Sequence, residues 1–365
     1  MSFQKIGFIG LGLIGGSIAK KIKQNNPNVC IYATSQREET IQEAYAQGIL
    51  ENDAKLPLSN FSEMDYIFLC APVQKNLEYL EELKPIISND CIITDVGSTK
   101  SDIHTKIKEL DMEANFIGGH PMTGSEKTGI TNADELLLEN AYYIITPTPK
   151  TPNYVIDEFY TFVKSLGSIP LILDSTTHDY STAAISHLPH MIAYTLVNLV
   201  KECDNDEETM KTIAAGGFKD ITRIASSSPV MWQNICFSNS KQLLRLLDLY
   251  IQKLQILEQD IKNLDQTALL ETFQSAKDYR DSIAVPGVKS QTMVFEIYMD
   301  LKDETGGIAT IATLLAKNNI NIKNIGIINN REFEEGVLRI EFYDGQAKES
   351  AEQLLRDKNY ILHIR

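Results

Sequence analysis

Lys5-Ile6-Gly7-Phe8-Ile9-Gly10-Leu11-Gly12-Leu13-Ile14-Gly15-Gly16-Ser17-Ile18-Ala19 is the stretch that decides the fold. Its first five residues read as a buried strand, and the apolar positions after it recur at helical spacing up to about Gln24. Between the two stands G-x-G-x-x-G, in the strand-to-helix context that gives the pattern its meaning. Gly10 permits the tight turn, Gly12 lets a pyrophosphate approach the backbone, and Gly15 lets helix and strand pack closely. The phosphates then sit on the positive helix end, with Leu13 and Ile14 in the same cofactor-binding turn. A dinucleotide is the ligand this segment predicts.

The next strand, Val29-Cys30-Ile31-Tyr32-Ala33, ends in Thr34-Ser35-Gln36-Arg37-Glu38. An NAD site usually carries Asp or Glu about 20 residues after the glycines, bonded to the ribose hydroxyls. Here that place falls on Thr34 or Ser35, with no carboxylate. Arg37 either meets a 2′-phosphate or caps a helix start in solvent. Ser35 and Arg37 therefore join the candidate cofactor-binding residues, and NADP stays open beside NAD.

A chain of 365 residues with 43% hydrophobic content has room for two or three domains with real cores. No run approaches the ~18 apolar residues of a membrane span, and no signal peptide is evident. The five cysteines form no CxxC pair and three sit in strand-like runs, which fits buried thiols in a reducing cytoplasm. A formal charge of −15 argues against nucleic acid. An anionic substrate would then need a local basic cluster against the global field.

Strand-like and helical runs alternate up to residue 173, the clearer strands being 66–71, 91–95, 142–146 and 169–173. That alternation predicts an α/β, Rossmann-like domain over 1–173 with a parallel, doubly wound sheet. Residues 174–285 read as an all-α substrate and dimerisation domain. Val285-Pro286-Gly287 punctuates, and 290–365 reads as a small α+β unit of βαββαβ order, ferredoxin-like.

Four segments carry chemistry. Ile117-Gly118-Gly119-His120-Pro121-Met122-Thr123-Gly124-Ser125-Glu126-Lys127-Thr128-Gly129 has the glycine and proline content of a loop held in a fixed shape, with His120 presented to a ligand. Asp95-Val96-Gly97-Ser98-Thr99-Lys100 follows a strand's carboxyl end, where open α/β sheets bind ligands. Ser98 there donates to an imidazole or nicotinamide, or N-caps a helix from Lys100 to Leu110. Thr177-His178-Asp179-Tyr180 leads into Ser186-His187-Leu188-Pro189-His190, whose two histidines share a helix face. With no third ligand evident, that pair favours substrate contact or a core network over metal. Finally, Gly216-Gly217 breaks a helix before Lys219 and Arg223, an i, i+4 cationic pair among Phe218, Ile221 and Ile224 that suits carboxylates.

Together these segments resemble the prephenate dehydrogenase (TyrA) family: G-L-G-L-I-G-G-S, D-V-G-S-x-K, G-G-H-P-M-x-G-S-E, S-H-L-P-H and G-G-F-K-D-x-T-R-I-A occur in that order. The tail resembles an ACT domain in Asp303-Glu304-Thr305-Gly306-Gly307-Ile308 and Ile320-Asn321-Ile322, with Thr305 where the family pattern has proline. The resemblance implies oxidative decarboxylation of prephenate with NAD, His120 as the catalytic imidazole and Ser98 as its orienting hydroxyl. It implies substrate contacts from Arg223, Lys219, His190, His187, Ser125 and Glu126, and places Trp232 near the pocket, contributed across a dimer interface or packed as a core residue. It further implies a cytoplasmic homodimer and L-tyrosine as effector. Arogenate is the alternative substrate, and a non-catalytic amino-acid sensor the alternative class.

Overall fold

Alternate residues of the first strand serve two different apolar layers, and this builds the N-terminal sheet. In the computed structural model, which describes residues 4–124, 127–283, 295–301, 305–328 and 336–363, β1 is Lys5–Ile9. Ile6 and Phe8 join a core with Ile18 and Ile22 of α1 (Leu13–Asn25), Ile41 of α2 (Glu38–Ala46) and Phe159 of α5 (Asn153–Ser165). Ile9 joins the opposite core with Leu80 and Leu83 of α3 (Val73–Leu83) and Ile103 and Ile107 of α4 (Ser101–Glu109). β3 (Tyr66–Leu69) divides the same way, and Phe8 stacks on Phe68 at 4.9 Å. With both faces buried, near-continuous apolar strands are what the physics demands.

The parallel order is β2-β1-β3-β4, where β2 is Cys30–Thr34 and β4 is Ile92–Asp95. The chain reverses direction across the sheet between β1 and β3, so a ligand crevice opens above their carboxyl ends. Gly10 and Cys70 lie there. The expected parallel sheet over 1–173 needs one correction. β5 (Ile117–Pro121), β6 (Tyr142–Pro147) and β7 (Ile169–Ile172) form a separate three-stranded sheet, with β5 and β6 antiparallel. A parallel bridge from Ile93 to Phe116 links it to β4.

His120 accordingly lies on a strand, opposite Ile144, rather than in a loop. The two glycines before it answer to packing instead of turn formation. A Cβ on Gly119 would stand 2.7 Å from both the Asp95 carbonyl oxygen and the Tyr143 hydroxyl.

From Ser175 the described chain is helical to Ile213 apart from a short turn, through α6 (Ser175–Thr182), a π-turn (Ala183–His187), α7 (Leu188–Cys203) and α8 (Thr209–Ile213). The unbroken helical stretch Ser175–Cys203 is long and apolar enough to cross a membrane by length and composition, which no run of the sequence suggested. Its first turns nonetheless bury His178, Asp179 and Thr182. After α9 (Gly216–Thr222) and a 3₁₀ turn (Arg223–Ser226) come α10 (Pro229–Ser238), α11 (Ser240–Lys262) and α12 (Gln266–Ser282). Many of their apolar side chains are exposed, Phe237, Leu244, Leu270 and Phe273 among them.

The chain divides into two units, the second running from Asp278 to Arg365. In that unit β8 (Phe295–Leu301), α13 (Gly307–Lys317), β9 (Ile322–Ile328), β10 (Gly336–Phe342), α14 (Gly345–Asp357) and β11 (Leu362–His363) follow the expected βαββαβ order. Its sheet, β11-β8-β10-β9, is antiparallel throughout and carries its own core of Ile297, Met299, Ile311, Leu315, Leu338, Ile340 and Leu355. Val285-Pro286-Gly287 and Asp303-Glu304 lie outside the described residues.

Gly119→Ala tests the packing argument. The added methyl meets backbone on one side and a buried ring on the other, so stability should fall by about 1–3 kcal/mol, read from denaturant unfolding. An unchanged midpoint would show that the strand pair can move apart.

Candidate active site

The dinucleotide cradle has the shape its glycines predict. Gly10 sits at φ +88°, and a Cβ there would come within 2.9 Å of the Ala71 nitrogen and Cys70 carbonyl carbon. A Cβ on Gly15 would meet the Cys70 sulfur and the Gly10 oxygen, both at 3.0 Å. Gly12 is the N-cap of α1 and has open space around it. Leu13 and Ile14 begin the helix, so free amides face that space. These residues fit a pyrophosphate. At the end of β2, the Thr34 hydroxyl donates to the Leu56 carbonyl, Ser35 is half-buried and Arg37 is exposed at the N-cap of α2.

The loop after β4 is pinned on both sides of Ser98. The Gly97 amide donates to Asp95 Oδ2 at 2.9 Å, and Thr99 Oγ1 donates to Ser238 Oγ at 3.0 Å. Ser98 itself is half-buried and makes no hydrogen bond among the described residues. It does not cap α4; the N-cap position is Lys100, whose side chain caps nothing. The cap comes from α6. Asp179 Oδ1 accepts from the Lys100 amide and Oδ2 from the Ser101 amide, each at 2.7 Å. A carboxylate there satisfies two orphan donors and meets the positive end of the helix.

The same carboxylate begins a relay. His178 Nδ1 lies 2.8 Å from Asp179 Oδ1, and His178 Nε2 lies 2.8 Å from His120 Nδ1. Burial works against ionisation of Asp179, but hydrogen bonds from His178, from Ser101 and from the Lys100 amide outweigh it and hold its pKa low. Burial also lowers the pKa of His178, more than the Asp179 hydrogen bond raises it. For His120, burial, then His178, Lys100 and His187, push the pKa well below 6.5. Both rings are therefore neutral, and their protons are fixed by donor logic. The carboxylate accepts, so His178 Nδ1 donates. His178 Nε2 then accepts, so His120 Nδ1 donates. The lone pair of His120 is left on Nε2.

His187 and His190 are fixed by the same reasoning. The Asn239 amide nitrogen donates to His187 Nδ1 at 3.1 Å and to the Asp179 carbonyl at 2.7 Å, leaving the His187 proton on Nε2. Burial lowers the His187 pKa to about 4. His190 Nδ1 donates to the Ser186 carbonyl at 2.9 Å, and its ring stacks on Trp232 at 3.5 Å. Trp232 is buried against His187 and His190 of its own chain, and its Nε1 has no hydrogen-bond partner among the described residues.

The cationic pair differs from expectation. α9 stops at Thr222 and Arg223 opens the 3₁₀ turn, so Lys219 and Arg223 do not share one continuous α-helix. Both are exposed, as is Ile221. Arg223 is near enough to His190 to help lower its pKa, after burial and against the Ser186 hydrogen bond. Ser125 and Glu126 lie outside the described residues. Sequence reasoning quoted His178 and Asp179 without giving them a role, and passed over Asn239 and the Asp95–Lys100 pair. Adjacent titratable residues in the first turn of a helix were the available signal.

Residues 18–169 match the family model for the prephenate dehydrogenase nucleotide-binding domain, and residues 174–275 match that for its dimerization domain. A prephenate dehydrogenase of Bacillus subtilis (strain 168) is 37% identical over 348 residues, covering 95% of this chain and 94% of the relative. The crystal structure of prephenate dehydrogenase from A. aeolicus, in complex with hydroxyphenyl propionate and NAD+, superposes with a TM-score of 0.73 at 30% identity, covering 78% of this chain and 99% of that one. Synechocystis arogenate dehydrogenase gives a TM-score of 0.68 at 32% identity, covering 76% and 99%. The βαββαβ unit lies beyond both family-model matches. The chain belongs to the prephenate dehydrogenase family.

Proposed function

We propose that this chain converts prephenate and NAD+ to 4-hydroxyphenylpyruvate, NADH and CO₂, and that it works as a homodimer. The observation that carries the reading is the Asp179–His178–His120 relay, whose donor order leaves the His120 lone pair on Nε2. Bound NAD+ supplies the hydride acceptor. As the ring carbon that bears the hydroxyl becomes electron-poor, His120 Nε2 accepts that hydroxyl's hydrogen bond and stabilises the growing positive charge. The C–CO₂ bond then gives its electron pair to the ring, which becomes aromatic, and the proton remains with the phenolic oxygen. No net proton is released.

Ser98, free between two pinned neighbours, orients the hydroxyl or His120. Arg223 and Lys219 hold substrate carboxylate, with His190, His187, Ser125, Glu126 and Trp232 around the substrate. Ser35 and Arg37 complete the cofactor site beside Gly10, Gly12, Leu13, Ile14 and Gly15. Exposed apolar side chains along α10–α12 support a helical domain completed by a second copy.

His120→Asn should leave dinucleotide affinity nearly unchanged while kcat falls by about 10²–10⁴. The wild-type acid limb should lie well below pH 6.5, because protonating His120 removes the acceptor and its pKa is depressed. That limb should be missing in the variant. Turnover within a few-fold of wild type would remove His120 from the mechanism.

Asp179→Asn keeps the shape but offers His178 an amide, which permits the wrong tautomer. The fall in kcat should reach several orders of magnitude, up to about 10⁴, with dinucleotide Kd unchanged. A modest effect would mean that the relay does not set the His120 lone pair.

The C-terminal unit is proposed as an ACT-type sensor for L-tyrosine. Gly306 at φ +91° opens α13, whose first amides suit an amino-acid carboxylate. Truncation after Pro286 should abolish tyrosine inhibition and retain catalysis. If the truncated enzyme stays tyrosine-sensitive, tyrosine acts at the active site.

A further inference from the structure

Lys100 is fully buried, yet nothing in the proposed chemistry uses its ammonium. Burial pushes its pKa down against the attraction of Asp95 and Asp179. A buried charge is costly unless paired, so its partners show what it is for. Its Nζ pairs with Asp95 Oδ2. Asp95 Oδ1 accepts from the Gly119 amide at 3.2 Å, and the next residue is His120. His120 binds His178, His178 binds Asp179, and Asp179 accepts from the backbone amide of Lys100. The path returns to its starting residue. It also encloses Ser98, because the Gly97 amide donates to the Asp95 oxygen that Lys100 holds.

We propose that Lys100 is a positioning residue, its ammonium closing a ring of hydrogen bonds that keeps the Ser98 loop and His120 in mutual register. The inference rests on the functional reading above, in which those two side chains meet the substrate hydroxyl. Charged and titratable groups face the ring from several elements: Cys70 after β3, Asp95 on β4, Asp102 and His104 on α4, Tyr143 on β6, His178 and Asp179 on α6, and His187 in the π-turn. Among them Lys100 disfavours protonation of His120, His178 and His104, so the same cation that fixes the ring also favours its neutral imidazoles.

Lys100→Met alone strands Asp95 without a cation and risks misfolding. Asp95→Asn/Lys100→Met removes both charges at similar volume, an exchange that buried pairs often tolerate. The double variant should melt near the wild-type temperature and bind dinucleotide within about threefold, while kcat on prephenate falls by about tenfold or more. Recovery of kcat along with the melting temperature would show the pair to be structural and overturn the inference. ¹⁵N-histidine spectra of the protein without cofactor or substrate give a second readout. Wild type should show His120 as a single tautomer protonated on Nδ1, and the double variant a mixture; an unchanged single tautomer there also overturns it. These spectra need no turnover. If the wild-type protein fails to oxidise prephenate, the functional reading falls while the spectra still decide the ring.

Discussion

One buried carboxylate ties this active site to its fold. Asp179 accepts from two amides at the start of α4 and from His178, and its own carbonyl accepts from Asn239. A carboxylate at 0% exposure is tolerated only when its oxygens are satisfied, so those donors must hold their places together. The consequence is geometric. α6 is fixed against α4, α4 follows the Ser98 loop, and the continuous helix from α6 carries His187 and His190 toward Trp232. Helix capping, which is usually local, here joins residues 79 apart, and the same atoms set the protonation state of the relay.

Much of the architecture was legible in the sequence because its signals are local. The strand–glycine–helix start, the alternation up to residue 173 and the βαββαβ tail each follow from period and turn chemistry. His120 was found for an incomplete reason. Gly118-Gly119 before it and Pro121 after it read as turn chemistry, yet they lie in β5, where the glycines clear space for Tyr143, Thr146 and Asp95. A glycine required by a neighbour's bulk looks the same in sequence as one required by a turn. Only the packing partner distinguishes them, and that partner comes from another strand.

The relay was illegible for a different reason. His120 and His178 are 58 residues apart, and neither their contact nor the Asp179 cap leaves a mark on local periodicity. The cationic pair shows the reverse error, where spacing implied too much. Lys219 and Arg223 fit one helix face on paper, but α9 ends between them and the backbone tightens into a 3₁₀ turn. Both cations are exposed, and Arg223 lies near enough to His190 to help lower its pKa; the proposed carboxylate contacts then call for a second copy, which is consistent with the apolar side chains exposed on α10–α12.

The charge distribution follows from what the proposed chemistry needs. The chain carries a formal charge of −15, and its site histidines are held neutral by burial, with His187 near pKa 4. Neutral imidazoles cannot attract a dicarboxylate by charge; they can only offer directed donors and lone pairs. In the proposed reading, attraction is therefore left to Arg223 and Lys219, both exposed. In the same reading recognition is left to tautomers, with a donor on His187 and acceptors on His120 and His190. Separating the two tasks has a physical advantage. A protonated His120 would repel the positive charge that develops on the substrate, whereas an external guanidinium binds carboxylate without putting a cation at the reacting carbon. The acidic exterior then costs the site little, because water and salt screen it over about 8–10 Å.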